Sequence, residues 1–270
     1  MIAGPLTRSL SVVPDGGFFP FSGRMRLSGK DELSLFPALF TLELWNLPEE
    51  YYLRLVRAQR IFVSHDGACL VSGSIRDVFR RPVPEGVLTT VAVSLGLELW
   101  EAVVSLSVPA GTPISEAVRR ILDASGTGIP LLSFPKPDPA LPRVLACFGR
   151  AAECIAAALS RHSERSEESP RAMLTPSGLM VVPPNGLSEA IRMTDTDLTD
   201  TVTFAGGALR GTKQLAVLSA AVSGWRPGQT VEVRQGSTSF RGIIVSRSVD
   251  ADTASGPWKS EMIVEVSIRD

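Results

Sequence analysis

The chain has 270 residues, of which 44% are hydrophobic and 20% charged, enough apolar material for one to three ordinary domains. A formal net charge of −1 and an aromatic content of 6% disfavour a small β-barrel that binds nucleic acid, because such proteins are usually basic and stack bases on aromatic rings. No stretch approaches about 18 consecutive apolar residues, and no basic segment followed by a long apolar run opens the chain, so we expect neither a membrane span nor a signal peptide.

Residues 1–110 are predicted to be almost entirely β-structure. Apolar positions alternate along residues 40–45, and this period of two indicates a half-buried strand. Asn46-Leu47-Pro48 ends the strand, because proline cannot donate to a ladder, and a short polar helix follows. Asp66-Gly67 then joins two apolar runs, which predicts a tight hairpin. The further strands that we expect in this region are 24–28, 61–64, 69–75, 87–95 and 103–108.

The middle of the chain is predicted to contain two helices. Thr112 is the expected N-cap of the first, with Pro113 at its first helical position and Gly126 at its end. Its apolar face consists of Ile114, Ala117, Val118, Ile121 and Leu122. A proline-rich passage at 130–142 is expected to be extended, a second helix to span 148–159, and a short strand to span 178–182.

Residues 161–171 form a polar segment that interrupts this middle region. The ten residues from Arg161 to Pro170 include no large apolar side chain, so they cannot bury surface to offset the entropy of ordering. The segment also resembles a translated repeat element that is inserted in many bacterial reading frames. We therefore predict an exposed insertion at 161–171.

The last region is again predicted to be β-structure, with strands at 201–205, 229–234, 240–248 and 261–268. The predicted fold class is therefore mainly β with some α. Two small β-barrel-like domains, at 1–110 and 189–270, flank a compact α/β insert at 111–188.

The residue types that usually carry chemistry do not form a recognisable constellation. The two histidines, His65 and His162, are far apart in the sequence and are expected to be solvated turn residues. Cys147 and Cys154 are seven residues apart, could share a helix face and are expected to pack in a core. With Cys69 the cysteine count is odd, which disfavours a disulfide framework.

Two glycine-containing segments have the wrong spacing for phosphate binding. Residues 23–30 superficially resemble a phosphate-binding loop, but Asp31 stands where a magnesium-binding hydroxyl is needed, and residues 206–211 do not fit a dinucleotide fingerprint. Both segments are expected to be turns.

The acidic segments are predicted to be polar loops. Asp250, Asp252 and Glu261 have part of the spacing of a calcium loop, but the intervening oxygen ligand and the turn glycine are missing. A second acidic segment at 195–200 lacks a terminal glutamate. Lys259 and Glu261, beside Trp258, are expected to lie on an exposed strand edge. We therefore predict no catalytic residue, no cofactor and no metal site, and a protein that is not an enzyme.

Three passages resemble the baseplate hub family of tailed phages and related tail machines. The first is the strand, Asn-Leu step, helix and hairpin of residues 42–78. The second runs from Leu95-Gly96-Leu97, where the family commonly has an Asp-Gly type of turn, into the helix at 114–122. The third joins Gly224-Trp225-Arg226-Pro227-Gly228, the run at 242–247 and the acidic segment that ends at Trp258. The likeness covers most of the chain, and the segment 161–171 lies outside it.

The resemblance implies a structural protein that forms a homotrimeric ring. Two barrels per chain would give six similar faces, adapting the sixfold tail tube or distal tail protein above to the threefold spike or tail tip below. It implies a place in the virion tail tip, after assembly in the bacterial host cytoplasm, without nucleic-acid binding in the usual sense. The alternative is a β-barrel protein active on the cell wall or on polysaccharides, either as an enzyme or as a binding module.

Overall fold

The computed structural model describes residues 8–15, 17, 21–162, 170–187, 189–205 and 214–267. Within these ranges the chain is mainly β-structure with four short helices. The helices are α1 (Glu49–Arg57), α2 (Leu97–Glu101), α3 (Ile114–Ser125) and α4 (Ala151–Ser160). The strands before α3 are β1 (Ser11–Pro14), β2 (Met25–Glu32), β3 (Ala38–Trp45), β4 (Arg60–His65), β5 (Ala68–Val83), β6 (Gly86–Leu95) and β7 (Val103–Val108). The strands after α3 are β8 (Leu131–Ser133), β9 (Leu145–Arg150), β10 (Arg171–Thr175), β11 (Gly178–Val182), β12 (Ala190–Met193), β13 (Thr203–Ala205), β14 (Leu215–Ala221), β15 (Thr230–Gln235), β16 (Thr238–Asp252) and β17 (Trp258–Ser267).

One large sheet joins the first and the last β regions of the chain. Its strand order is β1-β4-β5-β6-β3-β2-β16-β17-β14-β13, and β15 extends it from β16 with β12 beside it. The junction is the antiparallel pairing of β2 with β16, from Glu32 opposite Ser246 to Arg26 opposite Asp252. Two smaller sheets, β10-β11-β8 and β7-β9, belong to the middle of the chain.

The strand predicted at 40–45 and the hairpin predicted at Asp66-Gly67 are both confirmed. Phe40, Leu42 and Leu44 are buried on one face of β3, as the alternation requires. Asp66 and Gly67 both have positive φ, 46° and 77°, which is the geometry of a tight turn between right-twisted strands. The pair Asp-Gly therefore fixes where β4 turns into β5.

The first predicted helix is α3, and its capping differs from the prediction. All five predicted apolar residues of its face are buried, and Gly126 ends it in the left-handed region with φ 64°. Thr112 is not the N-cap. Pro113 holds that position, and the backbone N–H of Ser115 donates to the carboxylate of Asp138 at 3.1 Å. A residue of the proline-rich passage thus supplies a cap that local sequence does not reveal.

The second predicted helix, expected at 148–159, is α4, and it begins three residues later than predicted. Residues 148–150 belong to β9, which pairs with β7, and α4 starts at Ala151. Apolar residues at 147, 151, 154 and 155 continue in one period across this boundary, so the sequence does not mark the end of the strand. The elements α2, β1, β10, β12 and β14 were also not predicted.

The buried apolar residues form three large clusters. One lies among β1–β6 and includes Val249, Ala251 and Trp258 from β16 and β17. A second surrounds α3 and α4, and a third lies among the strands after β11. The order of the strands is that of open sheets, so closure into two barrels and the boundaries 1–110, 111–188 and 189–270 stay predictions.

Of the predicted insertion at 161–171, residues 163–169 lie outside the described residues. Its predicted end is wrong, because Arg171 is the first residue of β10 and pairs with Val182. In the part of the chain that is described, no helix is both long enough and apolar enough to cross a membrane.

Candidate functional site

The two histidines do not form a chemical site. His65 is not a solvated turn residue as predicted: its side chain is buried, its Nδ1 lies 2.8 Å from the carbonyl oxygen of Ser9, and its ring meets the ring of Trp258 edge-on at 4.9 Å. His162 is half-buried, with Nε2 3.4 Å from the carbonyl oxygen of Pro137. Among the described residues, no group of three or more His, Cys, Asp or Glu side chains could hold a metal ion.

Two cysteines pack inside the middle region. Cys147 lies on β9 and Cys154 on α4, so they do not share one helix face, although both are buried in the cluster around α3 and α4. Burial raises the pKa of Cys147 to about 12 and also raises the pKa of Cys154. A thiol with a raised pKa is a poor nucleophile, because the thiolate is the reactive form.

The predicted acidic loop at 250–252 is wrong, because these residues belong to β16. Arg26 binds Asp250 through two hydrogen bonds of 2.9 and 3.0 Å, and Arg24 binds Asp252 with a closest contact of 2.6 Å. Burial by itself would raise the pKa of Asp252, but hydrogen bonds from Arg24 and from the N–H of Ala254 outweigh it and lower the pKa. The acids therefore join β2 to β16 and are not free to bind calcium.

A third arginine–aspartate pair is almost completely buried. Arg247 is 1% exposed, and its Nε and Nη2 atoms donate to the carboxylate of Asp31 at 3.0 and 2.8 Å. Its Nη2 also donates to the carbonyl oxygen of Leu70 at 3.0 Å. We call the three pairs the arginine seam. It fixes the first β region against the last, since each pair bridges more than 200 residues of sequence.

The other predicted loops have mixed outcomes. Residues 25–30 lie in β2 and are not a turn, so the segment at 23–30 cannot enclose a phosphate. Lys259 and Glu261 lie on β17, which pairs with both β14 and β16, so they are not at a strand edge. The segment at 195–200 is a polar loop, as predicted, and 206–211 lies outside the described residues.

The surface beside the cluster around α3 and α4 carries an aromatic pair that the sequence did not reveal. Phe36 is 67% exposed and stacks on Trp100 with the ring centroids 4.9 Å apart. The indole N–H of Trp100 donates to the carbonyl oxygen of Leu35, which holds the loop before β3 against α2. Beside this pair, the loop and α4 enclose a groove of about 350 Å³ lined by small and apolar residues such as Ala156 and Leu159.

The outer face of β7 and β9 continues this apolar surface. The guanidinium of Arg150, on β9, lies 5.3 Å above the ring of Trp100. The cross-strand partner of Arg150 on β7 is Val103. Phe148 lies diagonally across from Val103, and the two side chains are 73% and 74% exposed. We call Phe36, Trp100, Val103 and Phe148 the apolar strip. Large apolar side chains exposed side by side are typical of surfaces that bind another protein.

The ends of the large sheet are further surfaces for association. In the described part of the chain, β1 has a partner on one side only, β4, and β13 only β14. An unpaired strand edge presents N–H and C=O groups that can pair with another chain. The arrangement of the surface therefore favours binding of other protein chains over chemistry on a small molecule.

Comparison with known proteins gives the same fold at low sequence identity. No protein-family model matches the chain, and no curated protein matches it in sequence. A tail protein from Neisseria meningitidis matches in structure with a TM-score of 0.70 at 9% identity, over 95% of this chain and 96% of that one. A tail protein of prophage MuSo2 from Shewanella oneidensis matches with a TM-score of 0.66 at 10% identity, over 95% and 96% of the two chains.

A third structure extends the likeness to secretion machines. The E. coli c3393 protein, described as a component of the type VI secretion system with structural similarity to the T4 bacteriophage tail proteins gp27 and gp5, matches with a TM-score of 0.65. The identity is 10%, over 97% of this chain and 77% of that one. The chain therefore has the fold of phage tail proteins, which confirms, at the level of the fold, the resemblance to a family of tail-machine proteins that its sequence predicted.

Proposed function

We propose that this protein is a structural subunit of a tail tip, a baseplate hub that works through assembly and not through catalysis. The observation that carries the proposal is the shared fold with tail proteins over at least 95% of the chain. Fold alone does not define function, so the surface is the second support. The apolar strip and the open strand edges at β1 and β13 provide area for protein contacts.

The proposed assembly is a homotrimeric ring in which each chain contributes its first and its last β region. Three chains then present six similar faces to a sixfold tube and a threefold arrangement to the spike or tail tip on the other side. The arginine seam supports this proposal, because an adaptor must hold its two β regions in one fixed orientation. A tail tube protein or distal tail protein is the proposed partner above, and a spike or tail-tip protein the proposed partner below.

The proposed location is the tip of the virion tail, after assembly in the bacterial host cytoplasm. In a closed ring, contacts with neighbouring copies or with the tube cover the strand edges that would otherwise template aggregation. Each contact is expected to bury well over about 1,000 Å² in total, which is the lower range for specific interfaces.

The test is the mass of the purified chain, alone and mixed with the tail tube protein of the same particle. A particle of three chains, or a complex with three copies at the end of the tube, is the expected result. A reconstruction of the tail tip would then show both β regions of each chain facing the tube. A chain that remains monomeric and does not bind tube protein would overturn the proposal.

A further inference from the structure

The helix α1 and the first residue of β4 carry a basic face that forms no ion pair within the described residues. Arg54, Arg57 and Arg60 are all exposed, and none of them forms an ion pair in that part of the chain. Leu53 and Val56, which are 41% and 50% exposed, are neighbours of Arg54 and Arg57 on α1. We call these five residues the basic face.

Helix stability alone does not explain the basic face. Basic residues in the last turn of a helix interact favourably with its C-terminal dipole, which accounts for Arg54 and Arg57. Leu55 is the buried residue of α1, so the aliphatic side chains of Leu53 and Val56 stay exposed beside the arginines. The helix dipole does not explain this exposure. Arginine is enriched in protein interfaces and among the residues that carry most of their binding energy, so the arginines are the part of this surface that favours binding.

An acidic loop with the opposite charge lies in the last β region, between β12 and β13. Asp195, Asp197 and Asp200 form no ion pair within the described residues, and Asp195 and Asp200 are exposed. The carboxylate of Asp197 accepts hydrogen bonds from the N–H and the hydroxyl of Thr194, at 2.8 and 2.9 Å, which holds the loop in shape. Phe204, 44% exposed on the adjacent β13, gives the acidic loop an apolar neighbour.

The two surfaces have opposite charges, each has an exposed apolar neighbour, and no described ion pair joins them within one chain. We propose that the basic face of one copy of the chain binds the acidic loop of a second copy. A contact between different surfaces of identical chains is heterologous, and such contacts close into rings when the rotation permits. The inference rests on the proposed ring, and it specifies which surfaces of neighbouring β regions meet there.

The test is charge reversal, with the dissociation constant of self-association measured by analytical ultracentrifugation at 50 and 500 mM NaCl. The variant Arg54→Glu/Arg57→Glu is expected to weaken self-association at least about tenfold at low salt, because like charges then face each other. Combining it with Asp195→Lys/Asp200→Lys should restore most of the affinity. Wild-type association should also weaken at 500 mM NaCl, where screening acts over a few ångströms.

The control is Arg119→Glu/Arg120→Glu on the exposed face of α3, which makes the same change of charge and also removes the ion pairs of these arginines with Glu116. It should leave the dissociation constant within about twofold of wild type, and circular dichroism checks that every variant is folded. If the wild type forms a trimer that reversal of the basic face leaves unchanged, the inference is wrong and the proposed function stands. If the wild type neither self-associates nor binds tube protein, both are overturned.

Discussion

The buried pair of the arginine seam allows a quantitative test of how the two β regions are held together. In the variant Asp31→Asn the side chain keeps its shape but loses its charge. Arg247, 1% exposed, would then keep a buried guanidinium without a carboxylate, and its Nη1 already has no hydrogen-bond partner. Removing one partner of a buried ion pair costs about 3–5 kcal/mol. For a chain of this size, that corresponds to a fall of about 6–20 °C in the melting temperature.

The matched control is Asp250→Asn, in the neighbouring pair of the same seam. Its side chain is 30% exposed and that of Arg26 is 39% exposed, so water solvates whichever charge is left alone. Exposed pairs contribute up to about 1 kcal/mol, so we expect a fall of at most about 4 °C. The assay is thermal unfolding followed by circular dichroism and by tryptophan fluorescence.

A double replacement separates the cost of an unpaired charge from the value of the pair. The variant Asp31→Leu/Arg247→Met removes both charges and keeps apolar volume in their place. Such replacements of buried ion pairs are often neutral or stabilising, so most of the stability lost in Asp31→Asn should return. If Asp31→Asn melts within 4 °C of the wild type, as Asp250→Asn should, then Arg247 is not buried against Asp31 in solution and the reasoning is refuted.

Three further predictions concern single groups. The lowered pKa of Asp252 contributes stability that is present above its ordinary pKa of 3.8 and is lost as the pH falls through the lower folded value. Asp252→Asn should therefore reduce the urea midpoint at pH 6, and this reduction should shrink progressively as the pH falls below 3.8. A thiol reagent should label Cys69 in the native protein and reach Cys147 and Cys154 only after unfolding; rapid native labelling of all three would contradict the buried placement. Because Phe148 is 73% exposed, Phe148→Ser should change the free energy of unfolding by no more than about 0.5 kcal/mol while weakening self-association, and a large loss in a denaturant titration would show that the side chain is packed.

Where the local pattern has one physical solution, the sequence determined the structure by itself. Asp66-Gly67 between two apolar runs leaves little alternative to a tight turn, because both residues must adopt positive φ. The apolar face of α3 and the glycine that ends the helix are equally local features.

Other features depended on strand neighbours that lie far apart in the sequence. Asp250 and Asp252 were predicted to lie in a polar loop, and aspartate is depleted in strands. They are compatible with β16 because Arg24 and Arg26, more than 200 residues earlier, neutralise them across the ladder. The prediction for His65 was wrong for the same reason, since Trp258 comes from the other end of the chain to cover it.

The apolar strip of the candidate site also could not be predicted from the sequence. Phe36, Trp100 and Phe148 come from a loop, a five-residue helix and a strand, and nothing in their sequence spacing indicates that they meet on one surface. The sequence by itself determined the local turns, the helix faces and the resemblance to a family. Only the tertiary structure decided which strands pair, which charges are buried and which apolar side chains stay exposed, because each of these depends on residues brought together from distant parts of the chain.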